Sequence, residues 1–268
     1  MSEEQLDLFS GSGITAGISA TKREPGVRAT AELDDATLLE AIPASGRAEG
    51  PLLAAEAGRR RLDAAIPVLE DYCRRFAGFG VHRAVPEQIA ALEALASIGG
   101  KAAAGSVART IASHWVQGPT MATAVSVAAQ LGSLLPADTV LGLLRHTDRA
   151  VRGDACRLAR PGPGVRETLI DLLGDLDRGV CVEAACALGR MGWPEALPAL
   201  RLALRHAPSA RVIESAPPVA DDECVVLLGR IASGPDAGLA AAAAAAAAAL
   251  EVVEHPLATR LLARLRNE

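Results

Sequence analysis

VLGLLRHTDRAVRGDA, residues 140–155, is answered by LIDLLGDLDRGVCVEA, residues 169–184, and the pair decides the fold. Val140, Leu143, Leu144, Asp148, Arg149, Val151 and Ala155 are matched, 29 residues later, by Leu169, Leu172, Leu173, Asp177, Arg178, Val180 and Ala184. A fixed period of this length marks a repeat array. Each copy has an apolar stripe at helical spacing, an Asp-Arg turn, and a second helix for which Asp148 or Asp177 is placed as N-cap. One copy cannot bury both helices, whereas stacked copies can. The spacing therefore predicts an elongated solenoid of paired helices.

Working outward, helix ends of the type Leu-small-x-apolar occur at Leu95-Ala96-Ser97-Ile98, Leu131-Gly132-Ser133-Leu134, Leu188-Gly189-Arg190-Met191 and Leu228-Gly229-Arg230-Ile231. Leu158-Ala159 is a degenerate instance, and about five units are expected on this basis. After Met191, Gly192 stops one helix, and Pro194 and Pro198 fall where the next begins. In Asp148–Arg152 and Leu188–Leu197 the chain resembles the HEAT-like repeats, in the short form also found in phycobilisome lyases. That resemblance implies an all-α fold, a right-handed α-α superhelix. Cys181 stands where the pattern has Arg, a departure within the best-matching unit.

Composition agrees with a solenoid. Aromatic residues make up 2% of the chain and half of it is apolar, so alanine-rich helices must pack through small side chains. The ten alanines 240–249 are too short a run to span a bilayer, and no basic segment followed by an apolar one opens the chain. Cys73, Cys156, Cys181, Cys186 and Cys224 form no C-x-x-C pair and read as reduced core thiols. A cytoplasmic protein without membrane attachment is expected.

The expected organisation is a flexible tail over residues 1–33, rich in Gly, Ser and Thr, followed by a repeat body over residues 34–268. Asp34-Asp35 should cap the body's first helix, ended by Pro43 and Gly46. Tyr72, Phe76 and Phe79 read as a core cluster. Pro217-Pro218 must end a helix begun near Arg211, which leaves one irregular unit.

The formal charge of −5 argues against general affinity for a nucleic-acid backbone. Arginine is nonetheless concentrated in one region, at Arg145, Arg149, Arg152, Arg157, Arg160 and Arg166. In the plain reading Arg149 and Arg152 pair with Asp148, Asp154 and Asp177 in a ladder along the turns. In the sharper one the six arginines form a face for an anionic partner, as in helical DNA-repair proteins or a lyase-type accessory subunit.

No catalytic constellation, metal-ligand spacing or cofactor loop with its proper context is found. Leu6 to Gly13 resembles the cofactor loop of DNA methyltransferases, but no alternation of strands and helices follows it. A different resemblance covers Gln5, Leu6, Asp7, Leu8 and Phe9. This string is similar at all five positions to the pentapeptide by which bacterial polymerases and repair proteins bind the DNA sliding clamp. It implies an extended segment with Leu8 and Phe9 in an apolar pocket of the clamp. The expected activity is thus non-enzymatic: a bacterial adaptor that holds protein partners, without cofactor or metal, and is tied to the clamp by its tail.

Overall fold

The computed structural model describes residues 30–234 and 240–266, which are helical throughout with no strand among them. The pentapeptide Gln5–Phe9 lies outside the described residues. The α-helices are α1 (Asp35–Ala44), α2 (Gly50–Arg59), α3 (Ile66–Arg75), α4 (Pro86–Ile98), α5 (Gly100–Ala112) and α6 (Thr120–Leu131). They continue with α7 (Ala137–Leu144), α8 (Arg149–Leu158), α9 (Val165–Leu172), α10 (Arg178–Arg190) and α11 (Leu197–His206). The last four are α12 (Ala210–Ser215), α13 (Asp222–Ala232), α14 (Ala240–Val252) and α15 (Pro256–Leu265).

Local chemistry sets the helix starts. Asp34 Oδ1 accepts from the Thr37 amide at 2.8 Å, Asp148 Oδ1 from Ala150 at 2.8 Å, and Asp177 Oδ1 from Gly179 and Val180 at 2.9 and 3.2 Å. Each bond satisfies an amide that the first turn leaves without a partner. Asp221 does the same for α13 and Ser209 for α12. Pro43 does not end α1 but lies inside its last turn, because Ser45, not Pro43, supplies the closing amide, to the Ile42 carbonyl. Pro217 and Pro218 do end α12, and a single 3-10 turn follows.

Two layers result. Odd-numbered helices run alongside one another in one layer and even-numbered helices in the other, each odd helix packing on the even helix that follows it. Seven pairs plus the terminal α15 are described, more than the five units read from helix ends. The discrepancy has a definite origin: the Leu228-Gly229-Arg230-Ile231 end belongs to α13, which is the first helix of its pair, not the second. The short α12 intervenes with no such end, and α2 closes on Ala57-Gly58-Arg59 without one, so counting helix ends skips two pairs.

The even layer is the tighter one. Every even helix packs closely on the next, whereas α5 against α7 and α9 against α11 do so only loosely. Alanine and glycine permit this spacing. A Cβ on Gly58 of α2 would lie 2.6 Å from the Ala94 Cα of α4, so these backbones nearly touch. One continuous core joins the layers, with Leu53, Leu69, Leu92, Leu95, Leu144, Leu169, Leu188 and Leu200 fully buried.

Candidate interaction surface

The turns before α8 and α10 bring the repeated Asp and Arg side chains together between adjacent units. Arg149 Nη1 donates to Asp177 Oδ2 at 2.9 Å. Arg152 holds Asp175 by two bonds, Nε to Oδ2 at 2.8 Å and Nη2 to Oδ1 at 2.9 Å. Its Nη1 donates to the His146 and Thr147 carbonyls at 2.9 and 2.8 Å. A forked guanidinium is required for this four-way contact. The expected ladder therefore exists with Arg149–Asp177 as one rung and a changed second one: Asp175 takes Arg152, and Asp154 takes Arg157 at 3.1 Å. Asp148 caps α8 and Asp154 points within its own helix, which leaves Asp175 and Asp177 as the acids that reach across.

The charges respond accordingly. The Asp175 carboxyl is held below its usual range, chiefly by Arg152 and then by the Asp177 amide. Asp177 is lowered first by the Val180 amide and then by Arg149. One unit on from Arg152, Cys181 occupies the equivalent position. Its Sγ lies 3.1 Å from the Asp175 carbonyl and 3.4 Å from that of Asp177, so it meets the turn as Arg152 does but cannot reach the following unit. The ladder stops there.

Two more arginines of the region are engaged. Arg145 Nη2 donates to Thr168 Oγ1 at 3.1 Å. Arg166 pairs with Glu195 and lies over the Trp193 ring, 5.7 Å from its centroid. Arg160 alone of the six is exposed with no partner among the described residues. Farther along, Arg201 pairs with Asp221, Arg205 with Glu223, and Arg211 with Glu183 at 3.0 Å. The resulting face is of mixed sign.

Arg190, at the end of α10, was not singled out by the sequence. It has no carboxylate partner among the described residues; Nη2 donates to the Cys156 carbonyl at 3.3 Å, and desolvation by its crowded surroundings lowers its pKa. The cysteines are unpaired thiols, and burial pushes Cys73 and Cys156 up to about 12, which keeps them protonated. No group of three or more His, Cys, Asp or Glu side chains is placed to hold a metal among the described residues. No helix there is long and apolar enough to cross a membrane.

A cleft of about 330 Å3 opens between the end of α3 and the start of α4. Arg47, Phe76, Phe79, Arg83, Val85 and Glu87 line it. The aromatic cluster expected in the core divides here. Tyr72 and Phe76 are buried and meet edge to face at 5.2 Å, while Phe79 is 52% exposed and faces the opening. Phe79 follows the helix stop at Gly78, which carries its ring past the end of α3 and out of the packed layer.

Among known families, residues 137–217 match that of HEAT repeats. No curated protein matches the chain. Among solved structures it is similar to the E. coli protein YibA, with 14% identity over 95% of this chain and 100% of that one, TM-score 0.43. It is also similar to human deoxyhypusine hydroxylase in complex with glycerol, with 18% identity over 85% and 88%, TM-score 0.36. An engineered protein aligns with 20% identity over 88% and 98%, TM-score 0.30. The family match runs from the start of α7 past the end of α12. It includes the units whose 29-residue period, Asp caps and cross-unit arginines are described above, and the two observations agree on a HEAT-like repeat fold over these residues.

Proposed function

We propose that the chain is an adaptor of the bacterial cytoplasm, whose repeat body holds a protein partner and whose N-terminal string Gln5–Phe9 ties it to the DNA sliding clamp. The observation that carries the first half is the engagement of the arginines. Of the six concentrated between residues 145 and 166, five are committed to side chains of the same body. Such a face offers alternating charge and hydrogen-bonding groups, which suits a protein surface better than a uniformly negative phosphate backbone. The described aromatic residues also stay off the even helices: Tyr72 is in α3, and Phe76, Phe79, Trp115 and Trp193 are in turns, so no row of rings is available for stacking bases.

The clamp half rests on the string itself. In an extended peptide Leu8 and Phe9 supply the apolar anchor, Leu6 lies against its rim, and Gln5 makes directional hydrogen bonds. Anchors of this length bind at micromolar strength, near −8 kcal/mol. Isothermal titration of a peptide spanning residues 1–14 against a purified bacterial clamp is the test. A micromolar isotherm that disappears in L8A/F9A is expected. Absence of heat at high micromolar clamp would remove the tether and leave the body as a scaffold only.

A further inference from the structure

We propose that the cleft between α3 and α4 is an internal dock for the chain's own N-terminal segment, residues 5–9, so that the tail is held against the first two helix pairs until a partner takes it. Glu87 is 5% exposed and lines the cleft, yet its nearest cation, Arg47 Nε, is 3.9 Å away, too far for a hydrogen bond. A carboxylate on the wall of a cleft, with no donor closer than that, is open to an amide that enters the cleft.

The rest of the cleft fits the same ligand. Phe79 is about half exposed, and Phe76 and Val85 stand buried on the same cleft. These side chains offer a seat for one or two large apolar residues. Arg83 sits on the opening, exposed and without a partner among the described residues. The required occupant is a short segment that joins apolar residues to an acid and to amide donors. Residues 3–9 read Glu-Glu-Gln-Leu-Asp-Leu-Phe, with no basic residue before Lys22. Leu8 and Phe9 suit the apolar wall, Asp7 suits Arg83, and the Gln5 amide or a backbone N–H suits Glu87.

Reach is not a constraint. The described chain starts at Thr30, and the Thr30 and Ala31 carbonyls accept from Arg60 Nη2 at 3.3 and 3.1 Å, just beyond the end of α2. Arg47 precedes the other end of the same ten-residue helix, about 15 Å away along its axis. The number of residues between Phe9 and Thr30 corresponds, for an unstructured chain of that length, to a root-mean-square span of roughly 25 Å. A site this close sees the tethered segment at roughly millimolar effective concentration, so even a weak contact is populated.

Hydrogen–deuterium exchange on the full chain tests this. Residues 76–87 are expected to exchange several-fold faster in L8A/F9A than in the wild type, and in R83E to the same extent, while α8 and α10 stay unchanged. The substitutions in the first variant lie outside the repeat body, so a folding defect cannot produce the result. Equal exchange in wild type and L8A/F9A overturns the proposal. Protection that fades on dilution assigns the cleft to a second copy of the chain and overturns it as well. The clamp reading stands or falls separately: R83E keeps the pentapeptide and, with the dock weakened, should bind the clamp more tightly than the wild type. If no form binds the clamp, the exchange result still decides the dock.

Discussion

Glu56 is the residue on which the first pair of helices depends most. Its carboxylate, 7% exposed, accepts from Arg59 Nε and Nη2 and from Arg60 Nε at 2.7 to 2.8 Å. Arg60 then reaches Asp35 of α1 and the carbonyls of Thr30 and Ala31. The arginines, Arg59 first, hold the Glu56 pKa at about 2, against an ordinary 4.5, despite the opposing effect of burial. A carboxyl lowered in the folded state stabilises it fully above its unfolded pKa and loses that contribution as pH falls through the folded value. Glu56→Gln should therefore lower stability at neutral pH by on the order of 1–3 kcal/mol. The gap between variant and wild type should close as pH falls from 4.5 toward 2, which urea unfolding at a series of pH values checks. This residue was not legible in the sequence. Three consecutive arginines, Arg59 to Arg61, carry no sign in the sequence that the fold turns two of them onto one carboxylate.

At the scale of the helix, the Leu-small-x-apolar ends hide two different requirements under one pattern. Gly132 closes α6 in the left-handed region, φ 64°, with open space around its would-be Cβ. Gly189, by contrast, lies inside α10, where a Cβ would be 2.4 Å from the Ser215 carbonyl oxygen and 2.8 Å from Leu200 Cδ1. One glycine serves backbone conformation and the other serves the approach of α10 to α12 and α11. Gly189→Ala should thus cost the price of overpacking, about 1–3 kcal/mol, because a backbone atom must move. Gly132→Ala should cost about 1 kcal/mol, the penalty of a left-handed alanine. Urea midpoints of the two variants check the order, with Gly189→Ala the lower. Helix positions and caps were legible because period and Asp placement act locally. The assignment of helices to layers was not: the same kind of end closes α10 and α13, and only packing tells that α13 joins the odd-numbered layer.

Across the whole molecule, the same pairing that stabilises the stack decides what its surface can hold. Repeat period, helix content and the Asp148 and Asp177 caps could be read from residues 140–184, because repetition reports the fold many times over. The ladder's cross-unit partner, Asp175, and the cleft around Glu87 could not, since both join residues that only stacking brings close. The proposal that the arginine-rich body holds protein and not nucleic acid rests on five of its six arginines having side-chain partners within the body. Fluorescence anisotropy of labelled duplex and single-stranded DNA with the full chain at physiological salt tests that most directly. The account predicts no binding tighter than roughly 10⁻⁴ M, the weak end of non-specific affinity. Micromolar binding that weakens steeply with salt and is lost in R149E/R160E would contradict it and make the region from Arg145 to Arg166 a nucleic-acid groove.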